Sequence, residues 1–70
     1  MMKKKIIIEG MECEHCVKHV KEALKEIEDV AVVEVNLEEG TAEVETQIED
    51  EVLKEAIEEA GYDVVDIELD

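Results

Sequence analysis

Two cysteines stand three positions apart in the stretch GMECEHC, at Cys13 and Cys16. A thiolate is both a metal ligand and a nucleophile, so a close cysteine pair suits either metal capture or thiol–disulfide exchange. An amphipathic helix is predicted to begin close to Cys16, where unsatisfied backbone N–H groups and the helix dipole favour anions. This position favours thiolates and therefore supports both chemistries.

Thiol exchange would make the protein a small thiol–disulfide oxidoreductase with Cys13 as its nucleophile. Thioredoxin-type sites also use a proline within the cysteine pair and a cis-proline facing it, whereas this chain contains no proline. The redox interpretation is therefore weakened, and we predict that the protein is not an enzyme.

Metal binding is the stronger interpretation of the pair. A structural zinc site needs four protein ligands, and beyond the two cysteines this region offers only His15 and His19. We expect His15 to be a weak ligand or a neighbour of the site, and His19 to be a solvated helix position. Two soft thiolates with an open coordination sphere suit Cu(I).

Length and charge restrict the remaining function classes. Seventy residues predict a single domain, 1–70. The formal net charge of −15 repels phosphate backbones and anionic lipids, so we expect neither a nucleic-acid partner nor membrane insertion. The lysines near the N-terminus precede only three apolar residues, unlike a signal peptide. We therefore expect a cytoplasmic protein whose thiols stay reduced.

The elements that must position the cysteines follow in the order βαββαβ. Alternation and β-branched residues predict strands at Lys4 to Glu9, Val30 to Leu37, Thr41 to Thr46, and around Val65, Ile67 and Leu69. Val33, Val35 and Leu37 are predicted to alternate against polar neighbours, and Ala42 and Val44 to point inward.

Two amphipathic helices complete the pattern. The first is predicted from Glu14 to Ile27, with its apolar stripe at Val17, Val20, Leu24 and Ile27. The second has an acidic first turn and ends before Gly61; its predicted apolar face comprises Val52, Leu53, Ala56, Ile57 and Ala60. The absence of Pro, Ser, Arg, Phe and Trp fits either a thermophile bias or an engineered or consensus sequence.

The segment GMECEHC resembles the GMxCxxC signature of the heavy-metal-associated domains, a family of small copper chaperones and of N-terminal metal-binding domains of metal-transporting P-type ATPases. VAVVEVNLEEGTAEVE and LKEAIEEAGYDV are also similar to family segments, so the resemblance extends from Ile6 to Leu69. It implies an α+β, ferredoxin-like βαββαβ sandwich with two helices on one face of a four-stranded antiparallel sheet. It also implies transfer of a monovalent ion by ligand exchange between cysteine pairs.

The resemblance assigns roles to several residues. It puts the metal on Cys13 and Cys16, with Gly10 and Met11 supporting the loop. Tyr62 matches a tyrosine that bacterial copper chaperones place beside the site. Glu12 points instead to the zinc, cadmium or lead branch, where an acidic residue before the first cysteine can complete a Zn(II) or Cd(II) site. Asp29 stands where the family often has glycine.

A stripe of lysines on the first helix, at Lys18, Lys21 and Lys25, lies beside the predicted metal loop. Family members dock through this helix and loop, so we expect the stripe to steer the site toward an acidic partner. The implied partners are a metal-transporting P-type ATPase domain or a copper-responsive regulator. We expect a monomer without metal and allow metal-bridged dimers.

Overall fold

A computed structural model describes residues 2–69 as a four-stranded antiparallel sheet packed against two helices. The elements are β1 Met2–Glu9, α1 Glu14–Lys25, β2 Val30–Asn36, β3 Thr41–Thr46, α2 Asp50–Glu59 and β4 Asp63–Leu69. The strand order is β2-β3-β1-β4, which confirms the predicted ferredoxin-like α+β fold.

The hydrophobic core lies between the helices and the two central strands. Successive strand residues point to opposite faces, so alternate residues of β1 and β3 meet the apolar stripes of the helices. Its buried members are Ile6, Ile8, Met11, Val20, Leu24, Ala42, Val44, Leu53 and Ile57. No aromatic ring is among these buried side chains, although the half-buried Tyr62 packs against them, and the core holds both helices above the sheet.

Strand β1 begins at Met2, two residues before the predicted start. The two added residues pair with β3, Met2 with Thr46 and Lys3 with Glu45. The next side chain, Lys4, is only 12% exposed. The Lys4 ammonium donates to the Ile48 carbonyl oxygen at 2.8 Å and to Asp50 Oδ1 at 2.7 Å. Lys4 thus ties the central strand to the beginning of α2.

The predicted alternation of β2 is wrong at Val33. The register between β2 and β3 shifts between Val32 and Glu34, and the irregularity leaves the Val33 side chain 49% exposed. Val32 and Val35 pack against the core on either side of it. The strand ends at Asn36, one residue before the predicted end.

Strand β4 contains a similar irregularity. Ile8 pairs with Val64 and Ile7 pairs with Asp66, so Val65 is skipped and is 61% exposed. Ile67 packs against the core as the alternation predicts, whereas Leu69 is exposed. Both edge strands therefore expose apolar side chains that simple alternation does not identify.

The helices also depart from the predictions at particular positions. Val52 is 42% exposed, so it does not belong to the buried face of α2. Helix α1 ends at Lys25 rather than Ile27. Asp29, in the following turn, has φ 68°, a left-handed conformation that glycine adopts without strain. This left-handed conformation is a physical reason for the glycine that the heavy-metal-associated domains often have at the position of Asp29.

Candidate metal site

The loop between β1 and α1 is fixed by residues on both sides of the cysteines. Strand β1 ends at Glu9, and Gly10 follows with φ 94°, a conformation that reverses the chain and is strained for other residues. The next side chain, Met11, is 6% exposed and belongs to the hydrophobic core. An anchored methionine thus holds the loop while the chain continues outward to Cys13.

Cys13 and Cys16 lie at the N-terminus of α1. The Cys13 carbonyl oxygen accepts from the N–H groups of Cys16 at 3.0 Å and Val17 at 3.2 Å, which begins the helix. Cys13 is exposed, whereas Cys16 is half-buried. Their Sγ atoms are 3.1 Å apart, well beyond the roughly 2.05 Å of a disulfide bond. Both thiols are free, and both sulfurs can reach one metal ion.

The Cys16 thiol is prepared for ionisation. Its pKa falls from 9.0 to about 7, chiefly because the Tyr62 hydroxyl donates a hydrogen bond to its sulfur. Hydrogen bonds from Cys13 and from the Glu12 backbone lower the pKa further, and partial burial opposes them. Near neutral pH a large fraction of Cys16 is therefore thiolate, the form that binds metals.

Tyr62 remains protonated in this arrangement. Its hydrogen bond to Cys16 raises the pKa of the Tyr62 hydroxyl to about 12, with burial as the next cause and repulsion from the two thiolates adding to it. The ring lies beside the loop: its Cδ1 atom is 3.9 Å from the position that a Cβ atom on Gly10 would occupy. The tyrosine brought here from the end of α2 is therefore a hydrogen-bond donor to the site.

His19 extends the same set of contacts. Its Nδ1 atom lies 3.5 Å from the Tyr62 hydroxyl oxygen, although 43 residues separate the two in the chain. The sequence prediction of a solvated position is correct about exposure, since His19 is exposed, but it missed this contact. The meeting of the α1 N-terminus with the α2 C-terminus, which creates the contact, has no local signature in the sequence.

Glu12 and His15 are both exposed. Within residues 2–69 no group of three or more Cys, His, Asp or Glu side chains is arranged to hold a metal ion. The structure therefore does not bring the Glu12 carboxylate or the His15 ring together with the two sulfurs as a ready-made third ligand.

The lysine stripe is partly assembled into one surface. Lys18 and Lys21 line a shallow groove with the half-buried apolar side chains Val17, Val35 and Leu37, between α1 and β2. Lys25, one turn further along α1, is exposed but does not line this groove. Positive charge and apolar surface thus lie together beside the metal loop.

Removing the Tyr62 hydroxyl should raise the pKa of Cys16. We expect Tyr62→Phe, in a Cys13→Ser background where only Cys16 can react, to move the thiol pKa upward relative to Cys13→Ser alone. The rate of alkylation by iodoacetamide, measured against pH, reports the thiolate fraction, and at pH 7 it should fall several-fold. An unchanged alkylation profile would contradict the hydrogen bond as the main cause.

Comparison with known proteins places the chain in a family. The family model for the heavy-metal-associated domain matches residues 5–63. The chain belongs to the heavy-metal-associated domain family. It is 48% identical over 67 residues to the copper chaperone CopZ of Staphylococcus epidermidis, covering 91% of this chain and 98% of that protein. CopZ of Bacillus subtilis is 42% identical, with 91% of this chain and 97% of that protein covered.

Solved structures of this family have the same fold. A structure described as CopZ metallochaperone matches with a TM-score of 0.84 and 39% identity, covering 90% of this chain and 98% of the other. A copper binding domain from HMA7, a P-type ATPase, matches with a TM-score of 0.85 and 30% identity, covering 99% and 93% respectively. No helix within residues 2–69 has both the length and the apolar composition needed to cross a membrane.

Proposed function

We propose that this heavy-metal-associated domain is a cytoplasmic Cu(I) chaperone that binds the ion through Cys13 and Cys16 and passes it to a partner. The observation that carries the proposal is the pair of sulfurs 3.1 Å apart at the N-terminus of α1, one of them with its pKa lowered to about 7. The partner is a domain of a metal-transporting P-type ATPase or a copper-responsive regulator. The protein acts by binding and exchange, not by catalysis.

The ligand set favours a soft monovalent ion. Two thiolates satisfy Cu(I), which accepts few sulfur ligands, whereas Zn(II) in proteins takes four ligands or three with an open position. Among residues 2–69 no third metal-binding side chain is arranged with the two sulfurs. The site therefore fits Cu(I) better than Zn(II).

The different exposure of the two sulfurs supports transfer by ligand exchange. Cys13 is exposed and can be approached by a thiolate of a docked partner, while Cys16 is half-buried against Tyr62. In this scheme a partner thiolate forms a bond to the ion before the bond to Cys13 breaks, so the ion is never free. A thiolate on a second copy of this chain could enter in the same way, which would give a metal-bridged dimer.

The comparisons are consistent with this proposal. The relatives named above are called copper chaperones, and one matching structure is a copper binding domain of a P-type ATPase. They match this chain over nearly their whole length, as expected if residues 1–70 form one metal-binding domain. A cytoplasmic location agrees with the need to keep both thiols reduced.

An anaerobic titration of the reduced protein with Cu(I), and separately with Zn(II), tests the metal. Each ion competes with a chelator of known affinity, and Glu12→Ala is titrated beside the unaltered protein. We expect tight one-to-one Cu(I) binding that survives Glu12→Ala, because Glu12 is exposed and does not join a ligand cluster. Tight Zn(II) binding that collapses in Glu12→Ala would assign the protein to the divalent-metal branch instead.

A further inference from the structure

His15 and His19 occupy positions i and i+4 of α1, one helical turn apart and upstream of its midpoint. Residues with this spacing lie on the same helix face with Cβ atoms roughly 5–6 Å apart. A pair of histidines at this spacing on a helix is a known arrangement for binding Zn(II). Both side chains are exposed, and the chain contains only these two histidines.

The contact with Tyr62 leaves the Nε2 atom of His19 available. The Tyr62 hydroxyl oxygen lies 3.5 Å from His19 Nδ1 and so occupies that side of the ring. In the tautomer with its proton on Nδ1, the ring donates to this oxygen and the lone pair on Nε2 can bind a metal ion.

The Tyr62 oxygen also gives His19 the hydrogen-bond acceptor that metal-binding histidines usually have. Metal-binding histidines almost always donate their second ring N–H to an oxygen, which fixes the tautomer and the orientation of the ring. Tyr62 places such an oxygen at His19 Nδ1 before any ion is bound. In the tautomer with its proton on Nδ1, the Tyr62 hydroxyl oxygen accepts from His19 and keeps its own proton.

We propose that His15 and His19 form a second metal site on α1, separate from the cysteine pair, for a borderline divalent ion such as Ni(II) or Zn(II). Imidazole suits these ions, whereas Cu(I) prefers the thiolates. Water completes the coordination, since no third Cys, His, Asp or Glu side chain in residues 2–69 is arranged with the two rings. The proposal goes beyond Cu(I) delivery and does not depend on it.

Binding requires one side-chain movement. His15 lines the groove toward β2 with Lys18, whereas His19 lines the groove between α1 and α2 with Glu22 and Ala60. The exposed His15 ring must change rotamer to approach His19, while Tyr62 keeps His19 in place. The strongly acidic surface, with a formal net charge of −15, raises the local concentration of cations.

The test is a calorimetric titration of Ni(II) into the anaerobic, Cu(I)-loaded protein, with excess Mg(II) present to occupy exposed carboxylates. We expect one-to-one binding, together with broadening of both histidine ring signals in the NMR spectrum. His19→Gln should weaken binding at least about tenfold. Tyr62→Phe should weaken it by a similar factor, because loss of an outer partner of a ligating histidine typically costs about 10–100-fold.

A matched control keeps two histidines but separates them. In His19→Gln/Lys21→His the rings are six positions apart and point away from each other, so this variant should bind Ni(II) no better than His19→Gln. Repeating the titration on Cys13→Ser/Cys16→Ser separates this site from Cu(I) binding. Equal affinity in the unaltered protein and His19→Gln, or broadening of the His15 signals alone, would overturn the proposal.

Discussion

Serine in place of Cys16 is expected to lower the affinity for Cu(I) at least about a thousandfold. The hydroxyl of serine is a hard ligand that stays protonated at neutral pH, so the ion keeps only the Cys13 thiolate. Competition against a Cu(I) chelator at fixed pH measures the loss. Cys13→Ser should show a comparable loss, and Glu12→Gln, beside the site, should leave the affinity within a few-fold of the unaltered protein.

The pH dependence of this affinity identifies the contribution of Cys16. With its pKa at about 7, the thiol holds a proton at lower pH, and Cu(I) must displace that proton. Below pH 7 each unit of acidification should therefore cost roughly an extra tenfold in affinity from this sulfur. Above pH 7 this contribution should level off. A Cys16→Ser variant that retained the same change of slope near pH 7 would show that another group is responsible.

The helices and the central strands could be predicted from the sequence because their patterns are local. The stripe containing Val20 and Leu24 is buried in α1, and Ala42 and Val44 point inward from β3 as alternation indicates. In these elements one hydrophobic period determines which face is buried. Burial of Met11 follows the expectation from the resemblance.

The edge strands could not be predicted in the same detail. The segment VAVVEV has three valines within four positions, so its sequence is compatible with burial of either face. The register shift between Val32 and Glu34 leaves Val33 exposed, while Val35 faces the core. In β4 a similar register shift leaves Val65 without a pairing partner on β1. Such irregularities depend on pairing with a neighbouring strand and have no marker within the strand itself.

The site shows a similar division between local and distant information. The spacing of Cys13 and Cys16 predicts a sulfur pair, but the lowered pKa of Cys16 depends on Tyr62, 46 positions later in the chain. The resemblance placed Tyr62 beside the loop without giving its hydrogen bonds. The contacts with Cys16 and His19 exist only because the fold brings the end of α2 to the start of α1.

Charge reversal of the lysine stripe should slow copper transfer. We expect Lys18→Glu/Lys21→Glu/Lys25→Glu to reduce the rate of transfer to an acidic ATPase metal-binding domain by about 10–100-fold at low salt. The affinity for Cu(I) should change little, because no lysine contacts the sulfurs. Stopped-flow mixing of the Cu(I)-loaded protein with the metal-free partner domain measures the rate, and chelator competition measures the affinity.

The control for this prediction is a variant with the same change in net charge at other places. Lys3→Glu/Lys5→Glu/Lys54→Glu alters lysines of β1 and α2, away from the metal loop, and leaves the ion pair of Lys4 with Asp50 intact. If position matters, this control should transfer copper much faster than the stripe variant. The difference between the two should shrink as added salt shortens the Debye length to about 3 Å at 1 M. Equal rates in both variants would mean that total charge alone governs the encounter, and the stripe would then have no docking role.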